Sequence, residues 1–414
     1  MIVKKTTFLA VLSHFFVICL ISSITIFTTY TWGRYVLMGC LVAILLCDVA
    51  RGRGKYRVSL GIYFVFMLMF LAYAAVGSLW AIKASRSLEK SRTLFEIFLM
   101  IFVLYNHYRL YEDGVKQALQ DIKIASFVIV IYTLVFYGIP QLMLMAAAEE
   151  RMDNDFANVN TIGILASIGV IIQLDEMFTK KKFTFLPLLC IPSVFLIAVT
   201  QSRKALVMVV MGLALILWFR NINSKNFFKT MFRLILYAGI GVIVVSFILS
   251  LPIFAGLMER MQTMINGFTG EGKVDSSTLV RQEMVEIGME TFRKYPFFGI
   301  GMGNSGELLK MHIGKDAYLH NNFIELLASG GIVGFAIYYS MYIYLIVKFW
   351  QHRKHKTDEY VICLTLMLVL LVMDYGRVSY YAKTQYIFLM TMFLETNTFQ
   401  KIKKRPLRLK GVTQ

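Results

Sequence analysis

Twelve long apolar runs decide what this 414-residue chain can fold into. They are Phe8–Thr29, Tyr35–Ala50, Val58–Trp80, Leu94–Tyr105, Ile124–Met145, Thr161–Met177, Phe183–Val199, Ala205–Phe219, Leu234–Phe254, Asn322–Val347, Tyr360–Met373 and Tyr386–Leu394. A hydrocarbon core of roughly 30 Å requires about 20 such residues of a helix. Some runs fall short of that, and Leu94–Tyr105 is expected to be extended or tilted. Composition agrees: 57% of residues are hydrophobic and 16% charged, against about a quarter charged in soluble domains. The expected fold is an all-α integral membrane protein of about 12 transmembrane helices, one polytopic domain over residues 1–414.

Lysines and arginines orient these helices, because cytoplasmic loops retain them. With the N-terminus inside, 26 of the 43 fall on inner segments, among them Lys4, Lys5, Arg51–Arg57, Lys180–Lys182 and Lys401–Lys410. Of the 17 outer ones, seven lie in a single long loop, which the rule discounts. Both termini are therefore expected in the cytoplasm, with a basic tail over 397–414. The long loop, 256–319, is expected outside, between helices nine and ten. The first run has no small-residue cleavage site and reads as a retained anchor. The net charge of +18 then reflects topology and attraction to anionic membrane lipids, and gives little support to nucleic-acid binding.

Several chemistries are not indicated. Cys19, Cys40, Cys47, Cys190 and Cys363 all lie inside apolar runs, without the CxxC or His-x-His company that disulfides or metals need. There is no P-loop, no GxSxG, no internal repeat and no domain suited to a nucleotide. Asp153-Asn154-Asp155 is the only DxD-like triplet in an outer loop. Such carboxylates can hold a divalent cation against a diphosphate, but a solvated turn is the first reading, and no metal or cofactor is expected.

Cations on the outer side break the inside trend and need a reason. They are Lys83, Arg86, Lys90 and Arg92; Arg151; Arg203 and Lys204 in Gln201-Ser202-Arg203-Lys204; Arg281; and Arg377. Arginine forks match phosphate geometry and stay charged in poorly hydrated places, so several together suggest a polyanionic headgroup such as a pyrophosphate. Lys83, Lys90 and Lys204 read instead as helix-end anchors that snorkel to water.

The 64-residue polar stretch Gly256–Leu319 ends on His320-Asn321-Asn322, at the mouth of an apolar run. Polar groups at membrane depth are functional candidates, although an interfacial histidine could simply face water. Within the loop, Ser276-Ser277-Thr278 precedes an amphipathic helical pattern. Tyr295-Pro296 ends it, and Phe297-Phe298-Gly299-Ile300-Gly301-Met302-Gly303-Asn304 follows. Glycines at alternate positions call for a sharply bent backbone or for close approach to a glycan or phosphate. The spacing is not GxGxxG and lacks a parallel-strand context, so dinucleotide binding is a poor reading.

Four motifs in order carry a family resemblance: Arg151 with Phe156-Ala157-Asn158-Val159-Asn160; Gln201-Ser202-Arg203; Arg281 with Tyr295–Asn304; and His320–Glu325 with Gly330, Gly331 and Gly334. Together, over roughly Ile124 to Val347, they resemble the bacterial O-antigen ligase and polysaccharide polymerase superfamily. Ala157 and Val159 depart from the glycine and proline usual there. The resemblance implies a helical membrane glycosyltransferase fold of the general C type. It implies transfer of a glycan from undecaprenyl diphosphate to an acceptor hydroxyl at the outer face of the plasma membrane, without nucleotide. The acceptor is lipid A–core for ligases and another repeat unit for polymerases; a chain-length regulator and a flippase are the protein partners to expect.

On this reading His320 takes the proton of the attacking hydroxyl, a task suited to a neutral imidazole, with Glu325 one turn along as its partner. Arg203, Arg281 and Arg151 stabilise the departing diphosphate. Asn160, Ser202, Gly301, Asn304, Asn321 and Asn322 complete the expected substrate-binding set. Polymerisation is preferred to ligation, because polymerases are not confined to bacteria with an outer membrane. A twelve-helix transporter or flippase is the rival class, but such proteins show related halves and helices broken at the midplane, and the polar residues here lie at outer helix ends.

Overall fold

The computed structural model describes residues 8–27, 30–52, 58–147, 152, 155–180, 188, 190–221, 232, 255–269, 276–354 and 357–404. Among them every regular element is helical, as expected where backbone polar groups must be satisfied without water. The helices are α1 (Phe8–Ile26), α2 (Gly33–Arg51), α3 (Ile62–Val76, with a 3-10 turn to Leu79), α4 (Ala84–Tyr108), α5 (Gly114–Tyr137), α6 (Ile139–Ala147), α7 (Val159–Lys180) and α8 (Cys190–Thr200). They continue with α9 (Arg203–Asn221), α10 (Ala255–Thr269), α11 (Ser276–Lys294), α12 (Ser305–Ile313), α13 (Asn322–Gln351), α14 (Tyr360–Met373) and α15 (Lys383–Lys404).

Among the described residues seven helices are long and apolar enough to cross a bilayer: α1, α2, α3 with its extension, α5, α7, α9 and α13. The shorter apolar ones are α8 and α14, while the run Leu234–Phe254 lies outside the described residues. Two runs prove to be fragments of longer helices. Leu94–Tyr105 is the apolar half of α4, whose first half carries Arg86, Glu89, Lys90 and Arg92. Tyr386–Leu394 is the middle of α15. Lysine, arginine and glutamate are good helix formers, so the helix continues where hydropathy stops. The run Ile124–Met145 is instead interrupted: Gly138 has φ +78°, and Pro140 follows at the start of α6.

The chain forms two compact units. The first draws on Met1–Ala10, Ile44–Val115 and Ser276–Gln414, the second on Val11–Ala43 and Lys116–Asp275. Aromatic side chains fill the first. Tyr63 stacks on Phe393 at 4.4 Å and donates to the Tyr386 carbonyl, and Phe64 meets Phe98, Phe102 and Tyr105 edge-on. The expected loop 256–319 is largely helical where described. Its α11 and α12 bury Met284, Ile287, Leu308 and Leu309 against Leu319 and Ala328. In the second unit α7 is the hub: Gly212 of α9 packs on Ile171, Gly163 lies against Ser202 and Ala205, and Ser167 donates to the Ala205 carbonyl.

Candidate active site

Helix α13 is broken at Gly331, whose backbone (φ 59°, ψ −169°) is not helical. The 20 residues from Ile332 to Gln351 reach about 30 Å, the thickness of a hydrocarbon core. A break strands backbone groups, and the glycine-rich loop recovers them. Ile332 N, deprived of the Ala328 carbonyl, donates to Pro296 O at 2.8 Å, and Val333 N donates to Phe297 O at 3.2 Å. The freed Ala328 carbonyl accepts from Ile300 N at 3.1 Å, and that of Gly330 accepts from the Tyr73 hydroxyl. The alternate glycines now have separate reasons. A Cβ at Gly299 would lie 2.5 Å from the Ser329 carbonyl carbon, at Gly301 2.4 Å from Ala81 Cβ, and at Gly303 2.3 Å from Lys90 Cγ. All three have positive φ. The loop is a splice between a broken helix and the start of α4, and Gly301 packs on protein.

The segment before α13 is tied on both sides of His320. The buried Glu325 carboxylate accepts from Ser305 Oγ at 2.6 Å and from Leu319 N at 3.0 Å. Asn321 caps the helix, its Oδ1 accepting from Phe323 N and Ile324 N, which satisfies two of the donors that a helix start leaves open. Between these ties His320 has φ +56°, a conformation costly for a side chain with a Cβ and found at sites where surrounding structure enforces it. Its ring lies 4.2 Å from that of Tyr318. Burial pushes the Tyr318 phenol up, and Arg281 opposes that through space. Arg281, Tyr318, His320 and Glu325 therefore belong to one polar centre of the first unit.

Two expected substrate contacts are instead structural pins. Asn322 Nδ2 donates to Tyr339 Oη at 2.9 Å and Asp374 Oδ2 at 3.4 Å, and its Oδ1 accepts from Ser379 N and Tyr380 N at 2.9 and 3.1 Å. An amide has two donors and two acceptor sites, so this one is saturated. Asn304 is likewise held: Nδ2 on Ser87 Oγ and the Gly301 carbonyl, Oδ1 accepting from Lys83 N. Both residues fix the frame around the histidine segment.

Lys90 was not legible as part of this centre. Expected as an exposed anchor, it is half-buried, its ammonium 4.0 Å from the centroid of the Tyr381 ring. Helical spacing carried the signal, since Lys90 lies three residues after Ser87 and four before Leu94, both buried on α4. Lys83, by contrast, is an exposed partner of Glu307, with its side chain 54% accessible.

In the second unit, Ser202 donates to Asn160 Oδ1 at 3.3 Å, and Arg203 Nη1 donates to the Arg260 carbonyl in α10 at 3.0 Å. The preceding Gln201 has φ +48°. Gln201 and His320 are the non-glycine residues with positive φ among those described, and each sits in one of the motifs singled out above. Asp155 is exposed, while Arg151, Asp153 and Asn154 lie outside the described residues.

Residues 188–339 match the family model described as O-antigen ligase. The match spans rather more than a third of the chain and takes in every site residue expected from the sequence except Arg151 and Asn160. It supports the resemblance to the O-antigen ligase and polymerase superfamily, and with it a glycosyl-transfer function in general terms. A comparison with curated proteins gives no match.

Proposed function

We propose that the protein transfers a glycan from a polyprenyl diphosphate to an acceptor sugar hydroxyl at the outer face of a bacterial plasma membrane, most simply joining repeat units into a polysaccharide. The observation that carries this reading is the O-antigen ligase match, which holds Arg203, Arg281 and His320 within one stretch, 188–339. His320 acts as general base: as the hydroxyl oxygen bonds to the anomeric carbon, its proton passes to the imidazole and the carbon–oxygen bond to the diphosphate breaks. Attack opposite the leaving group inverts the anomeric configuration. Arg281 offers charge to the departing diphosphate, and Arg203 and Arg151 are assigned the same task by their motifs. Glu325 and Asn321 hold the backbone on either side of the base. The description of the matched family favours a second reading, transfer to lipid A–core.

The test is reconstitution of purified protein with a polyprenyl-diphosphate-linked oligosaccharide. Chain lengthening supports polymerisation, and product only on added lipid A–core supports ligation. His320→Gln keeps hydrogen bonding but cannot take the proton, so transfer should fall about 10²–10⁴-fold. A fully active variant would remove the base. The orientation, with both termini cytoplasmic and twelve crossings, predicts that a cysteine at Lys310 reacts with an impermeant reagent in intact cells while one at Lys354 does not; the reverse pattern would invert the topology.

A further inference from the structure

The other cations around Lys90 are held in ion pairs, and Lys90 is not. Lys83 reaches Glu307 at 3.0 Å, Arg86 reaches Glu307 at 3.2 Å and also Asp316, Arg92 reaches Glu96 at 3.3 Å, and Lys383 reaches Glu96 at 3.8 Å. Among the described residues no carboxylate pairs with Lys90. Its ammonium faces the ring of Tyr381, and its stem fills the space that a side chain at position 303 would need. Two residues beyond Gly303, Ser305 holds Glu325, so Lys90 is joined through the glycine loop to the segment that carries His320.

An ammonium withdrawn from water without a counter-ion is costly. An aromatic face compensates in part while leaving the charge uncancelled. Burial lowers the basicity of Lys90, and the fields of Glu89 and Glu325 draw it back. A helix-end anchor would place its nitrogen in water or on a carboxylate, as Lys83 does. A cation seated by a ring and a missing side chain is arranged for an anion that comes and goes.

We propose that Lys90 contacts a phosphate of the lipid-linked donor, with Tyr381 holding the ammonium in place. This rests on the reading that the substrate carries a diphosphate, and it adds a point charge from α4 to the arginines already assigned, lysine being a phosphate binder of that kind.

Full-length protein in phosphatidylcholine nanodiscs, titrated with farnesyl diphosphate and with farnesol, tests it without requiring transfer. Lys90→Gln should weaken farnesyl diphosphate binding roughly ten- to a hundredfold, the range for one charge-assisted contact, and leave farnesol unchanged. Lys90→Arg should retain most of the binding. Tyr381→Phe should bind as wild type and Tyr381→Leu severalfold more weakly, which provides a second route should Lys90→Gln fail to fold. Equal loss of both ligands would make Lys90 a packing residue and overturn the proposal. So would recovery of binding in Lys90→Gln/Glu325→Gln, which would mean that Lys90 only balances Glu325. Competition by inorganic pyrophosphate supports a diphosphate site; loss of the Lys90 effect in phosphatidylglycerol nanodiscs would assign the charge to bulk anionic lipid and also overturn it. Lys90-dependent binding by a protein that transfers no glycan would unseat the transfer reading alone.

Discussion

The Gly331 backbone lies so close to Phe297 that a Cβ built on it would stand 2.3 Å from the Phe297 carbonyl oxygen. That contact joins the break in α13 to the glycine-rich loop, and the loop in turn supplies the carbonyls that Ile332 and Val333 need. The Gly331→Ala variant meets two penalties. A non-glycine residue at φ +59° costs about 1–3 kcal/mol, and the clash with rigid backbone adds to it. We expect a markedly lower melting temperature in detergent and loss of transfer together. Gly39→Ala, where a Cβ meets nothing within 4 Å, should melt at or slightly above the wild-type temperature. Equal melting of the two variants would mean that the loop does not depend on the break.

Asn322 and Asn321 are neighbours in sequence but differ in what they hold. Asn321 caps one helix, a contribution of about 1 kcal/mol. Asn322 joins α13 to Asp374, Ser379 and Tyr380 from inside the protein, and its truncation leaves several buried groups unpaired at about 1–3 kcal/mol each. Asn322→Ala should therefore lower thermal stability several times more than Asn321→Ala. A larger loss of stability in Asn321→Ala would reverse the assignment of pin and cap.

Glu307 gives a pH-dependent readout of the α12 contacts. The hydrogen bond from Lys83, and then that from Arg86, hold its carboxyl below the usual range against a partial opposing effect of burial. A carboxyl depressed in the folded state adds stability above its unfolded value, about 4.3 for glutamate, and loses it as pH falls through the lower folded value. The melting-temperature gap between wild type and Glu307→Gln should be constant from about pH 7 to 5 and close below about pH 4.3. Lys83 is largely exposed, so the gap should also shrink with added salt. A gap that persists at about pH 3 would show that the pairs do not act through charge.

The helical class and most bilayer-length runs were legible because apolar length is a direct consequence of the lipid solvent. Less legible were the ends of α4 and α15, where helix propensity outlasts hydropathy, and the break at Gly331. A glycine pair in an apolar run looks the same whether the helix bends or not; what permits the break is a loop more than 30 residues away in sequence. The candidate site divided in a similar way. His320, Glu325 and Asn321 stand together because the motif is local. Gly301, Asn304 and Asn322 carry motif signals that serve packing and pinning, since hydrogen-bond saturation depends on partners such as Ser87 and Asp374 that spacing does not reveal. Lys90 went unread because a lysine near a helix start looks solvated until its aromatic neighbour at Tyr381 is known.

Glu325 separates positioning from chemistry. Its two oxygens are engaged by Ser305 Oγ and Leu319 N, and Leu319 immediately precedes the strained His320. Glu325→Gln keeps an acceptor oxygen for Leu319 N but presents an NH2 group to Ser305, whose hydroxyl must reverse from donor to acceptor, so two charge-assisted ties become weaker neutral ones. If the carboxylate acts by holding the histidine segment, kcat should fall while KM for the lipid-linked donor changes little. The losses should also be non-additive: Glu325→Gln on a His320→Gln background should cost almost nothing more, because the base it positions is already gone. Glu325→Asp, too short to reach both donors, should resemble Glu325→Gln in kcat. Additive losses, or a rise in KM with kcat intact, would mean that Glu325 meets the substrate itself and that some other contact sets the conformation of His320.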